Sequence, residues 1–310
     1  MSPKRGESGL SGVLPVDKPS GITSHDVVNI VRKIAGERRV GHAGTLDPMA
    51  TGLLMVMVGP ATRLAPYLTA AEKHYEARIV FGTETDTHDA EGAIVRNADV
   101  PGRLSEAAVA AEVLESAIGT IEQVPPAYSA VKLSGRKAYE LARSGEQVDL
   151  AARSVRLIEA ELLQVDTGPP LAWDVSLQVS KGFYVRSFAR DMGRSLDTVA
   201  HLGALRRTAS GKTTVNDAIS IEQLETTTDI ESLFSDPARA VDLPALEVDD
   251  VRAASVSNGR GFQADDDLES SVDGYVAITH CGMLLAIYQR VGDSLSPATV
   301  LSGGVLGVGK

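Results

Sequence analysis

Apolar and polar positions alternate most cleanly over residues 171–180. Trp173, Val175, Leu177 and Val179 fall on one side there, and Asp174, Ser176, Gln178 and Ser180 on the other, the period of a half-buried strand. Residues 75–81 alternate in the same way, and 53–58 form an unbroken apolar run that fits a fully buried strand. A shorter strand is predicted over 13–16. Helical spacing takes over where Val27, Val28, Val31 and Ile34 follow Ser24, read as the N-cap, and Gly36 closes that helix. Further helices are predicted over 62–71, from a Ser105 cap to near Gly119, over 136–144, and from the Lys181-Gly182 turn through Tyr184, Arg186 and Arg190. Beyond Leu243-Pro244, the runs 275–278 and 284–288 with the Asn258-Gly259-Arg260 turn predict a small β-rich module.

One loop stands apart from this pattern. Residues 41–52 read GHAGTLDPMATG, with a single carboxylate, Asp47, among glycines and directly before a proline that disfavours helix at the aspartate. The apolar run after it anchors the loop on one side, a common way to hold one reactive group still. Spacing alone leaves two readings open, a catalytic carboxylate or an Asp-Pro turn at a strand edge.

Charge and composition narrow the field. The chain of 310 residues carries a net charge of −11, which on its face argues against a nucleic-acid partner. The distribution argues the other way: residues 213–273 hold fifteen acids against three bases, whereas 181–212 hold seven bases against two acids. No long apolar run predicts a membrane span. The single Cys281 rules out an internal disulfide and a multi-cysteine zinc site, which fits a cytoplasmic protein, and it is read as a small buried hydrophobe. His42, His74 and His88 are not fixed to one face, so no metal is expected. The acidic run 85–92 lacks the calcium-loop pattern and reads as a polar turn bordering a cleft. No Rossmann glycine fingerprint or P-loop is present.

GHAGTLDPMATGLL resembles the signature of the TruB family of tRNA pseudouridine-55 synthases. Four further stretches resemble the same family in the same order: VDKPSGITS (16–24), KHY (73–75), PPAYSAVK (125–132) and SKGFYVR (180–186). The resemblance implies an α+β pseudouridine synthase fold with a mixed, mostly antiparallel central sheet flanked by helices, plus a small C-terminal β-rich PUA-like domain. It implies that Asp47 is the catalytic residue, that Arg186 pairs with it, and that Tyr75 is a catalytic residue too, stacking on the target base and serving as a candidate for proton transfer. Leu205 would pack on that base, His42 would fill the vacated position, and Lys18, Lys132 and Tyr184 would contact the RNA. The reaction is an isomerisation, so no cofactor is expected. Read without the family, Arg186 is a surface helix residue and Tyr75 a core or edge aromatic.

The expected organisation is a flexible tail over 1–12, a catalytic domain over 13–240 with an RNA-binding insertion at about 124–150, and the PUA-like domain over 241–310. Asp265-Asp266-Asp267 make that last domain acidic, which weighs against a strong phosphate-binding role. The expected partner is the T-stem-loop of tRNA, with no guide RNA, no membrane and a monomeric enzyme. Two other readings keep parts of this picture: the catalytic subunit of a guide-RNA complex, and an RNA-folding protein whose isomerase activity is incidental.

Overall fold

The structure is a computed structural model; it describes residues 8–129, 131–133, 135–144, 146, 148–263 and 274–306. The chain forms two compact units, one made of residues 1–71 with 209–310, the other of residues 72–208. The expectations for residues 1–7 of the tail and for Asp265-Asp266-Asp267 lie outside the described residues.

In the first unit, Gly12–Lys18 pairs antiparallel with Thr51–Val58 and parallel with Ile219–Ser220, and Val40–Ala43 joins the other edge of Thr51–Val58. Every residue from Leu53 to Val58 is buried, as the continuous apolar run predicts. The first helix, Ser24–Ala35, is capped by Thr23 rather than Ser24: Thr23 accepts from the Asp26 amide, and Asp26 reaches back to Thr23 in a capping box. Gly36 closes it in the left-handed region. The helix expected over 62–71 begins instead as a 3-10 turn, Gly59–Leu64, and becomes α-helical only at Ala65–Ala70.

The C-terminal β-rich part belongs to the same unit. Its five strands run in the order Ala245–Glu247, Gly274–His280, Met283–Val291, Ser294–Leu306 and Phe262–Gln263. One face of this sheet, through Ala277, Leu284, Ile287, Leu301 and Val305, shares a single core with Leu53, Met55, Met57, Leu64 and Leu68. Tyr67 meets Tyr275 edge to face at 5.1 Å and bonds Thr299 at 3.0 Å. Cys281, expected to be buried, is exposed. It occupies the two-residue turn from Gly274–His280 into Met283–Val291, with φ +48 followed by Gly282 at +74, and such a turn projects its side chains into solvent.

In the second unit, Lys73–Phe81 pairs antiparallel with Ala172–Val179, which pairs with Arg153–Asp166, which pairs with Gly119–Gln123; Ala200–Ser210 lies along the other edge of Lys73–Phe81. Trp173, Val175, Leu177 and Val179 are all buried, on the side the alternation assigned. Trp173 packs against Phe81 at 4.7 Å and donates its indole N–H to the Leu104 carbonyl at 2.8 Å. The alanine-rich helix, Ala107–Ser116, starts after Glu106, because Ser105 is committed to a 3-10 turn where its hydroxyl bonds the Gly102 carbonyl. The helix expected over 136–144 loses its first two residues to a short strand, Arg136–Lys137, and runs Ala138–Arg143.

Candidate active site

The loop that carries Asp47 is the connection from Val40–Ala43 to Thr51–Val58, two strands in register with His42 opposite Val56. A hairpin this short fixes the ends of the loop, and backbone and side-chain groups from residues 18–24 fix its middle. Ser24, buried beneath the loop, both accepts from the Leu46 amide at 2.9 Å and donates to the Leu46 carbonyl at 3.0 Å. The Gly21 amide donates to the Pro48 carbonyl at 2.9 Å, and the Ser20 hydroxyl to the Met49 carbonyl at 3.2 Å. Asp47 is thus half-buried between a residue locked on its N-terminal side and two on its C-terminal side.

Lys18 belongs to this frame. Expected to contact the RNA, it is instead fully buried, and its ammonium donates to the carbonyls of Pro19, Ile22 and Pro48 at 2.8–3.2 Å. A charge-assisted bond to the carbonyl directly after Asp47 holds the loop more firmly than the amide bond alone. His42 is half-buried on its strand.

The remaining candidates lie in the second unit. Tyr75 is buried on Lys73–Phe81, on the same face as Lys73, Ala77 and Ile79 and opposite Leu177. Two residues before it, the buried Lys73 ammonium is pulled down to about 8, first by burial and then by Arg207 and Lys181. Leu205 is buried on Ala200–Ser210. Lys132 falls in the two-residue strand Lys132–Leu133, paired with Lys137, and what its side chain was expected to do lies outside the described residues.

Arg186 is the clearest departure from its reading as a surface residue. It sits in the first turn of Val185–Ser195, and its side chain is 6% exposed. The guanidinium donates to the carbonyls of Thr87 at 3.1 Å and Tyr128 at 2.9 Å, and lies 3.4 Å from the Asp89 carboxylate, itself 5% exposed. A fork of rigid donors suits this combination of two carbonyls and a carboxylate. The helix buries it because Val185, Phe188, Ala189 and Met192 turn the same end of the helix inward.

Asp89 is a candidate that sequence reasoning passed over as part of a polar turn. Its other oxygen is occupied by the Thr87 hydroxyl at 2.6 Å and the Glu91 amide at 3.1 Å, so the loop presents one oxygen to Arg186. The density of acids over 85–92 was the available signal. Next to it, His88 takes φ +61, and its imidazole is pushed down to about 4, chiefly by burial and then by Arg190. It therefore stays neutral near neutral pH. Tyr184, half-buried, precedes the helix and packs against Val131, Ala138 and Leu150 of the insertion. Among the described residues no group of three His, Cys, Asp or Glu side chains is placed to hold a metal ion.

A family model described as TruB family pseudouridylate synthase (N terminal domain) matches residues 32–185, and one described as tRNA pseudouridylate synthase B C-terminal domain matches 186–240. The protein named tRNA pseudouridine synthase B from Thermobifida fusca (strain YX) is 43% identical over 299 residues, covering 94% of this chain and 99% of its own. The protein of the same name from Rhodococcus jostii (strain RHA1) is 42% identical over 299 residues, covering 95% of each chain. Among solved structures, a chain of an H/ACA RNP bound to a substrate RNA containing 2'-deoxyuridine superposes with a TM-score of 0.69 at 23% identity. It covers 94% of this chain and 84% of its own, and so shares the fold.

Proposed function

Because the chain belongs to the TruB family of pseudouridine synthases, we propose that it isomerises uridine-55 in the T-loop of tRNA to pseudouridine, with Asp47 as the catalytic carboxylate. The reaction breaks the N1–C1′ bond, turns the uracil and joins C5 to C1′; the hydrogen leaves C5 and a proton returns to N1. Nothing is oxidised or reduced, so side chains alone can carry it. The observation that carries the assignment is the frame around Asp47. Ser24, Lys18 and Gly21 lock the backbone on both sides of one half-buried carboxylate, the preorganisation a reacting group needs.

A uridine in a folded T-loop must leave its stack to be reached, at a cost of about a few kcal/mol that stacking and edge hydrogen bonds offset. Tyr75 is the stacking partner, Leu205 packs on the base, and His42 occupies the place the base leaves. Arg186 keeps Asp47 ionised and oriented, the role the family resemblance implies, and Asp89 holds the arginine within its own unit; a carboxylate buried without such a partner would protonate. Lys132 and Tyr184, on the insertion and beside it, contact the RNA. The enzyme acts alone in the cytoplasm as a monomer on bare tRNA, with residues 13–240 as its catalytic domain and 241–310 as a PUA-like domain.

The test is tritium release from C5-labelled tRNA transcript by purified protein and by Asp47→Asn, without added metal. Release by the wild type and none by the variant is expected. Release by both would remove Asp47 from the chemistry. Release by neither would favour the guide-RNA or RNA-folding reading.

A further inference from the structure

Gln123 closes the strand Gly119–Gln123 and is buried. Its carboxamide makes a two-way pair with the backbone of Tyr184: the Tyr184 amide donates to Oε1 at 2.9 Å, and Nε2 donates to the Tyr184 carbonyl at 3.2 Å. The opposite demands of that amide and carbonyl leave one orientation for the carboxamide. Tyr184 is the N-cap of Val185–Ser195, is extended in backbone, and makes no capping bond with its own side chain. Its carbonyl also receives the Phe188 amide at 3.0 Å, so Gln123 grips the peptide from which the helix starts. The next carbonyl, that of Val124, accepts from the Ser187 hydroxyl at 2.8 Å and from Arg190 at 3.2 Å. Four residues later Tyr128 gives its carbonyl to Arg186.

We infer that Gln123 is a positioning residue for the isomerisation: by substituting for a strand partner at Tyr184 it sets the start of the helix, and with it the guanidinium of Arg186 two residues on. The role rests on Arg186 taking part in the reaction, as proposed above. In a first turn that has no side-chain cap of its own, removing this pair takes away the two hydrogen bonds that set the Tyr184 peptide, and a shift there carries Arg186 with it. A displacement of about 1 Å in a group that organises the reacting carboxylate costs roughly 100-fold in rate.

The test uses the full chain with Gln123→Met, which keeps the length and removes both hydrogen bonds. Gln123→Asn, which withdraws the carboxamide by one methylene, carries the test should the first variant not fold. Thermal unfolding, RNA affinity by filter retention, and the single-turnover rate of tritium release from a C5-labelled T-stem-loop are measured for each. The rate should fall about 10- to 100-fold with RNA affinity within about threefold of wild type. In an Arg186→Lys background the same change should cost less than about threefold more, because residues acting through one group are not additive. A folded Gln123 variant with the wild-type rate, a loss confined to RNA affinity, or a loss that multiplies in full with Arg186→Lys would each overturn the role. Wild-type turnover by Arg186→Lys would instead remove the premise about Arg186, an outcome read from that single variant alone.

Discussion

Ser24→Ala should disable the enzyme without unfolding it. Ser24 has no solvent to fall back on: it is 2% exposed, and it satisfies both the amide and the carbonyl of Leu46, which is 3% exposed. Removing the hydroxyl leaves two buried backbone groups without it, at about 1–3 kcal/mol each, or roughly 2–6 kcal/mol if the loop stays where it is. The loop has a cheaper escape. Residues 44–50 can lift locally to hydrate Leu46, so part of the cost appears as local opening rather than global instability. Global stability should therefore fall by about 1–3 kcal/mol, near the middle of the range for single substitutions. Asp47 is the neighbour that moves, and a carboxylate about 1 Å out of place should slow the single-turnover step by roughly 10- to 100-fold. Urea unfolding gives the first quantity and tritium release from labelled T-stem-loop gives the second, with RNA affinity by filter retention as the control. A folded Ser24→Ala protein that keeps more than about half the wild-type rate would refute the idea that this latch positions Asp47.

Three further outcomes follow from the geometry. Arg186→Lys keeps the charge but cannot reach Thr87, Tyr128 and Asp89 together, so turnover should fall by about 100-fold or more; near-full activity in the same assay would contradict it. His88 is held down to about 4 from an ordinary 6.5, so the unfolded chain binds the extra proton first as pH falls. Its contribution is complete above pH 6.5 and is lost as pH drops from 6.5 towards 4, on the order of 3 kcal/mol, and His88→Asn should flatten that part of the stability profile in urea titrations. Truncation after Ala240 strips Ala277, Leu284, Ile287, Leu301 and Val305 from the core they share with Leu64 and Leu68. Losing that many buried side chains, at about 1.5–3 kcal/mol each, should leave an insoluble or unfolded product, and a soluble, cooperatively melting fragment would count against the shared core.

Where burial follows from a local period, the sequence was enough. The strand carrying Trp173, Val175, Leu177 and Val179 and the buried run from Leu53 to Val58 could be read directly, because a strand displays its buried face every second residue or, when covered on both sides, at every one. Helix starts were less legible. Thr23 and Ser24 are equally good caps by type, and the choice was made by what lay within reach of each hydroxyl; Ser105, the best cap by type near its helix, was taken instead by the Gly102 carbonyl. Thr23 found Asp26; Ser24 found Leu46, 22 residues along. The exposed Cys281 shows the same limit, since its place in a left-handed turn outweighed the general tendency of cysteine to be buried.

The chemistry divides along that line too. Residue types at fixed spacing are local information, so five ordered motifs carried the family and, within them, the candidate groups Asp47, Tyr75 and Arg186. That Lys18 is a strut under Pro48, that Arg186 is buried against Asp89, and that Gln123 grips the start of the Arg186 helix came from the folded chain. Those roles depend on contacts across 30, 97 and 61 positions of the chain respectively. A lysine, an arginine or a glutamine reads as a polar surface residue until the fold withdraws water from it and leaves a backbone carbonyl, a carboxylate or an amide as its available partner.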